Sequence, residues 1–510
     1  MKKILFVLLT VCNTLGMVSQ SHKEAFVVAE RKTLSNSIKL DYIPVKMPEG
    51  EIPMDIIGLH YNLNLGKYFY TGVGMYTAII GDQGGLFTLG AELGLQQKIF
   101  KKLYLNTDFH FGGGGGYRYL VRDGAYINAN IGLQLKTDHI SYGLQYAYFD
   151  FFKGSIKSNG IAAFISIPSE LVYTDYKQSN KKFDNNSLTE TRWNQKASKG
   201  SFTLRLDHFY TLGETKDQWY NPIDNTLRTL GFEYSKYLHK RWFSYIHLDA
   251  IFSGLPSGFM DLFVGAGYEP IQTKRLKLFT KIGVGASGGR VEREGGLTLY
   301  PSIGFEKHIK NGFSITGHGG YIRAPLGNFE AYTLGYGIKY TSYKNGIYHP
   351  DIKHHTSRYA STKGVQVSLQ NQSYLKASST VRPPIDLQLI AVQINYEVSD
   401  RLYIAGQASF AYEGESGGYA DGMVGIGWYL HKRNQTNFEY FLELLVGAGG
   451  GAHVDTGAGF SVKPKMGIQY YLKENISLLL SGGKMIAPYG NLNATNINVG
   501  ISYNFATLGL

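Results

Sequence analysis

The side chains able to do chemistry in this chain are few, and each has a competing structural use. Three glycine-rich runs invite comparison with phosphate loops: Phe111-Gly112-Gly113-Gly114-Gly115-Gly116, Val284-Gly285-Ala286-Ser287-Gly288-Gly289 and Val446-Gly447-Ala448-Gly449-Gly450-Gly451. A phosphate loop needs a strand, the glycines, and then a helix whose amino end faces the anion. Here a further strand pattern follows each run, so the glycines are read as sites of bulging, curvature or close strand contact. His60, His110, Asp108, His247 and His318 fall on polar faces of alternating segments, where they could ligate a metal or move a proton. None recurs at its equivalent position in the other copies of the repeat described below, and burial in polar pairs accounts for them. Periodicity brings no Ser/His or similar nucleophile pair together. No catalytic, cofactor-binding or metal-binding residue is assigned, no cofactor is expected, and the chain is read as a non-enzyme.

The elements that would hold such residues are strands. In Ile497-Asn498-Val499-Gly500-Ile501-Ser502-Tyr503-Asn504-Phe505 the odd-numbered residues are apolar and the even-numbered ones polar or Gly. A period of two sends these sets to opposite sides of a sheet. The chain of 510 residues holds 63 Gly, 39 Tyr and 28 Phe with only 14 Pro, a composition suited to many glycine-relieved strands. The mean hydropathy of −0.17 argues against a bundle of spanning helices, although alternating strands can cross a bilayer without raising it.

Met1-Lys2-Lys3 followed by Ile4 to Thr10 forms a basic and then an apolar stretch, predicting a signal peptide over residues 1–20. The lone cysteine, Cys12, follows Val11, which is too large for a lipoprotein box, so lipidation is not favoured. Behind a removed signal the chain would have no thiol chemistry. The net charge of +12 is dispersed over short turns such as Lys101-Lys102, His239-Lys240-Arg241, Lys274-Arg275 and Lys432-Arg433. That pattern suits solvated turns at a membrane edge and gives no nucleic-acid partner.

Self-comparison shows three copies of one unit. Behind each glycine run comes a strand: Ile131-Gly132-Leu133, Ile303-Gly304-Phe305 and Met466-Gly467-Ile468. Farther on, Ala324-Pro325-Leu326-Gly327-Asn328-Phe329 matches Ala487-Pro488-Tyr489-Gly490-Asn491-Leu492. Each copy reads as about eight strands joined by connections of alternating length. The expected repeats are 35–168, 201–342 and 364–505. Polar linkers are expected at 169–200 and 343–363, the latter containing Lys353-His354-His355, and a short tail at 506–510.

The terminal Gly500-x-x-Tyr503-x-Phe505 resembles the signal that bacterial outer-membrane β-barrels present to their insertion machinery, and the alternation resembles that class over the whole mature chain. The resemblance implies an all-β, antiparallel up-and-down transmembrane barrel located in the outer membrane. Its implied partners are outer-membrane lipids, lipopolysaccharide and the barrel-insertion machinery. About 24 strands could close as one wide barrel or as three barrels of eight. A wide barrel would need a plug that this chain lacks, whereas side chains fill an eight-stranded one. Glu439 and Glu443 facing Lys463 and Lys465, and Lys277 and Lys281 between strands carrying Asp261 and Glu306, could pair inside single units. Three small barrels are therefore favoured. The matching loops around Pro325, Gly327, Asn328 and Pro488, Gly490, Asn491 are the candidate interaction surface, against the plainer reading of a duplicated Pro-Gly turn. The function expected is a non-enzymatic envelope or surface-interaction protein. The alternatives are a channel or secretion pore through one wide barrel and, less favoured, a lipid-modifying enzyme.

Overall fold

The computed structural model describes residues 29–116, 118–291, 295–351, 359–431 and 437–510. The signal segment, Cys12, Lys353-His354-His355 and Lys432-Arg433 lie outside these residues. No helix among the described residues is long and apolar enough to cross a membrane.

Three antiparallel barrels of eight strands follow one another along the chain. The first contains β1 (Lys32–Val45), β2 (Met54–Asn64), β3 (Phe69–Ile80), β4 (Phe87–Phe100), β5 (Leu103–Gly115), β6 (Tyr126–Lys136), β7 (Ser141–Phe151) and β8 (Lys157–Tyr173). It closes by pairing β1 with β8, Leu40 opposite Ile165. After a short β9 (Lys182–Asp184), the second contains β10 (Ser198–Thr211), β11 (Leu227–Tyr237), β12 (Trp242–Ser253), β13 (Met260–Gln272), β14 (Leu276–Gly288), β15 (Leu297–Lys310), β16 (Phe313–Arg323) and β17 (Glu330–Lys344). Leu204 opposite Ile338 marks its closure through β10 and β17. The third contains β18 (Tyr359–Ala377), β19 (Ile385–Glu397), β20 (Leu402–Glu413), β21 (Ala420–Tyr429), β22 (Phe438–Gly450), β23 (Phe460–Lys473), β24 (Ile476–Ile486) and β25 (Asn493–Gly509). It closes by pairing β18 with β25, Leu369 opposite Ile501. Closure three times over rules out the single wide barrel.

Alternation sets the two faces of every wall. On β1, Lys39, Asp41, Ile43 and Val45 point inward and are buried, while Ile38, Leu40 and Tyr42 point outward and are exposed. On β25, Asn498, Ser502 and Asn504 are buried and Ile497, Val499 and Ile501 exposed. The exposed belt continues through Leu93, Ile131, Leu144 and Ile161 in the first barrel and Ile282, Ile303, Leu334 and Ile338 in the second. Such an exterior is unfavourable in water and matched to hydrocarbon. Where the belt ends, exposed aromatics gather: Tyr68, Phe69 and Phe100, then Trp242 and Phe313, then Trp428, Phe438 and Tyr440.

Both ends of each barrel's chain lie on one side, here termed the linker end; the opposite side is the loop end. The two sides close differently. At the loop end each lumen is filled by apolar side chains: Val45, Met54, Tyr126 and Phe151 in the first barrel, Phe209, Ile251, Phe259 and Phe329 in the second, Leu389, Met423, Leu445 and Met485 in the third. At the linker end the segment after β8 is ordered rather than a plain polar connection. Tyr176 enters the mouth of the third barrel, its hydroxyl donating to Glu397 Oε1 at 2.8 Å, and Asn180 Nδ2 donates to Glu397 Oε2 at 2.9 Å. Ala29, Phe183, Leu188, Trp193, Ile347 and Leu508 form a small core there.

Strands overrun the expected repeat limits at both ends. The segment 506–510 is not a free tail: Ala506 pairs with Gly364 and Gly509 with Ser361 within β25. Thr174 exchanges backbone hydrogen bonds with Ala506 at 2.8 and 3.0 Å, which ties the first barrel to the third.

Candidate functional site

The five lumen residues capable of metal or proton chemistry are all buried, as alternation requires. In the first barrel Lys39 Nζ lies 3.0 Å from Asp108, 3.4 Å from Asp41 and 3.8 Å from Glu92. The His60 ring lies between two carboxylates, 2.7 Å from Glu92 and 3.1 Å from Asp41. In the second, Arg205 donates to Asp207 at 3.0 Å and Glu233 at 2.9 Å, and His318 meets Asp207 at 2.5 Å. Ligand atoms of His60, Glu92 and His110, and of Asp207, His247 and Asp249, come within 4.8 Å of one another. A metal ion in either group would lie beside the Lys39 ammonium or the Arg205 guanidinium, which already neutralise these carboxylates. Pairing of buried charge is the better account.

The lumen charges pair inside single units, Lys465 with Glu443 at 2.8 Å and Lys277 with Glu306 at 3.2 Å. Lys463 reaches Asp421 at 3.0 Å, leaving Glu439 to accept from Tyr471 at 2.6 Å. Lys281 reaches across to Glu233 at 2.6 Å. In a narrow barrel the partner is chosen across the lumen as well as along the sheet.

The glycine runs act between barrels. A Cβ on Gly288 would lie 2.2 Å from the Gly85 amide nitrogen, one on Gly113 2.6 Å from the Ala411 carbonyl oxygen, and one on Gly450 2.2 Å from the Ser257 Cβ. Backbone hydrogen bonds cross all three junctions: Gly295 to Gly81 at 2.7 Å, Gly417 to Arg122 at 2.8 Å, and Ser257 to Gly457 at 3.0 Å. Beneath them the outward-facing Phe87, Leu89, Leu262, Ala286 and Phe410 bury one another. The loop ends are therefore knitted into one face.

On that face the two Ala-Pro-x-Gly-Asn turns have the same hydrogen bonds. Ala324 N donates to Phe329 O at 2.8 Å and Gly327 N to Ala324 O at 3.2 Å; Ala487 N donates to Leu492 O at 2.9 Å and Gly490 N to Ala487 O at 3.1 Å. Pro325, Asn328, Pro488 and Asn491 are exposed, while Phe329 and Leu492 anchor the turns in the apolar caps of separate barrels. A site that sequence reasoning missed lies between the first and third barrels. Arg122, Asp123, Lys153, Asp386, Glu413 and Glu415 line a polar cleft of about 800 Å³ open to solvent. Glu415 N donates to Asp123 Oδ1 at 2.8 Å, Lys153 pairs with Asp123 at 2.7 Å, and Arg382 with Glu415 at 3.3 Å. The hydrogen bond that Lys153 donates to Asp123 raises the Lys153 pKa above its ordinary value. Nothing in the sequence joins Glu413 and Glu415 to Arg122, nearly three hundred residues earlier.

At the other end, Gly500 lies opposite Gln370 and Tyr503 is half-buried. Phe505 keeps the expected parity but is covered, its ring 6.1 Å from that of Tyr173.

Closed walls, apolar exteriors and aromatic belts now stand together. These are the features of a transmembrane β-barrel. No family model matches the chain, and no curated protein matches it. Among solved structures it is similar to the Neisserial surface protein A, at 14% identity and a TM-score of 0.22 over 28% of this chain and 96% of that one. The ferric enterobactin receptor PfeA of Pseudomonas aeruginosa matches at 10% identity and a TM-score of 0.28 over 95% of this chain and 81% of that one. The outer membrane protein opdK of Pseudomonas aeruginosa matches at 8% identity and a TM-score of 0.25 over 93% and 99%. Similarity this slight carries no function across to this chain.

Proposed function

We propose that this protein is a non-enzymatic, non-conducting envelope protein that offers its joined loop face to a partner outside the cell. In this reading the linker end, to which an even strand count returns every barrel and where the turns between strands are short, faces the periplasm. The observation that carries the proposal is the contrast between the two parts of each barrel. The lumens hold paired charges beneath apolar caps, while the loops above them form a polar cleft that faces solvent. Loops on a rigid wall are where binding specificity usually resides.

Planar-bilayer recording tests the first half. The purified protein should give no steps above baseline, and nanosiemens-scale steps would restore the channel reading. Unchanged lipid A and phospholipid profiles on deletion and overexpression are expected; an altered profile would favour a lipid-modifying enzyme. Alanine substitution of Asp386, Glu413 and Glu415 together should abolish partner capture by intact cells without changing the amount of folded protein.

A further inference from the structure

The second barrel has a strongly basic rim at the linker end. Two of its short connections carry Lys240 and Arg241, and Lys274 and Arg275, and the end of β15 carries Lys307 and Lys310, all exposed. None of the six makes an ion pair with a carboxylate of the described residues. The acidic residues nearest in sequence, Glu269 and Glu306, are turned into the lumen and buried; Glu306 is held by Lys277 at 3.2 Å and Lys339 at 2.8 Å. Backbone contacts fix the turns against one another: Glu269 N donates to Arg241 O at 2.9 Å and His308 N to Arg275 O at 2.9 Å. Six like charges are thus held on one edge with no internal counter-charge.

The first barrel's rim is basic too, with Lys67, Lys98, Lys101 and Lys102 exposed, but it also carries an exposed Asp138; the third carries Asp400 beside Arg401 and Glu474 beside Lys473 among its described turns. The height of the basic rim is also informative. Trp242 packs on Tyr268 at 4.8 Å and Phe313 on Tyr340 at 5.0 Å, and Leu276 and Ile309 are exposed beside them. Aromatics at the edge of an apolar belt mark where hydrocarbon gives way to headgroups. The six cations therefore lie at the level of lipid phosphates, not out in bulk solvent.

We infer that this rim binds the phosphates of anionic phospholipid in the periplasmic leaflet, a lipid with two phosphates bridging adjacent turns. The inference rests on the orientation given under Proposed function. Clustered Lys and Arg at a bilayer surface attract anionic lipid by an amount equivalent to about fivefold per basic residue. Arg241 and Arg275 can each offer a planar fork to phosphate oxygens, and the four lysines add point charges.

The test uses the full mature chain in vesicles of phosphatidylethanolamine with a minor fraction of phosphatidylglycerol or cardiolipin, with retained lipids counted by native mass spectrometry. The Lys240→Gln/Arg241→Gln/Lys274→Gln/Arg275→Gln variant should lose at least about tenfold of its anionic adducts. A Lys46→Gln/Arg323→Gln/Lys376→Gln/Lys484→Gln variant, with as many charges removed at the loop end, should keep them. Folding of both is checked by migration of unheated samples on gels. Equal adducts on wild type and rim variant, or equal loss in the loop-end variant, would overturn the inference. Orientation is read separately, from Lys240→Cys in intact cells: protection from an impermeant thiol reagent is expected. Labelling from outside would overturn both the leaflet assignment and the orientation it rests on, whereas protection with unchanged adducts would sink the lipid site alone.

Discussion

Lys463 is the most exacting place to test the lumen description. Its ammonium is fully buried in the third barrel, 3.0 Å from Asp421 Oδ1, and it also donates to Gln407 at 2.8 Å and Gln372 at 3.3 Å. Lys463→Met removes the charge and leaves Asp421 buried with two neutral donors, the hydroxyls of Tyr374 at 2.7 Å and Ser409 at 2.8 Å. Breaking a buried pair by removing one partner costs about 3–5 kcal/mol. The two surviving donors place this case at the lower end, about 3 kcal/mol. Asp421→Asn should cost a similar amount, because it strands the ammonium instead. The double variant removes both charges and keeps the amide within reach of Tyr374, so it should cost less than the two singles together, with a coupling of at least about 2 kcal/mol. The assay is urea unfolding in lipid vesicles, read from the midpoint at constant slope. A cost below about 1 kcal/mol for Lys463→Met, or strict additivity in the double variant, would show that these charges are hydrated and that the lumen is wet.

Three further outcomes follow from the packing. Ser257→Cys/Thr456→Cys should form a disulfide on mild oxidation, visible as a linked fragment after cleavage between the second and third barrels, because the two hydroxyl oxygens are 2.6 Å apart. Phe329→Ala should destabilise the second barrel by about 3–5 kcal/mol by opening its cap, whereas Pro325→Ala in the exposed part of the same turn should cost less than about 1 kcal/mol; urea midpoints compare them. Tyr176→Phe should cost about 1–3 kcal/mol by removing a donor to buried Glu397, and should raise the rate at which protease cuts the segment between β8 and β10.

The walls were legible from the sequence because alternation is local: the parity of Ile497, Val499 and Ile501 against Asn498, Ser502 and Asn504 sets both faces without knowledge of any distant residue. The repeat was legible for the same reason, since three similar glycine runs and two matching turns mark equal places in equal units. What was hidden depends on partners remote in the chain. A glycine run announces that some backbone comes close, but not that Gly288 meets Gly85 in another barrel. Alternation showed that Lys281 needs a partner inside its own unit, but not that it would reach across the lumen to Glu233. The extra residues of β25 escaped notice because Ala506 to Gly509 pair with Ser361 to Gly364 beyond the reach of the membrane pattern. The polar cleft was out of view because its acids and bases come from opposite ends of the chain.

The placement of Tyr176 has a consequence for biogenesis. This residue follows the first barrel and seats itself in the third, whose walls are made later in the polypeptide. A nascent chain released before β25 would hold a Tyr, and the Trp193 core beside it, with no cavity to receive them. An incomplete product would expose this aromatic segment, so the connection after the first barrel reports on whether β25 has paired with β18.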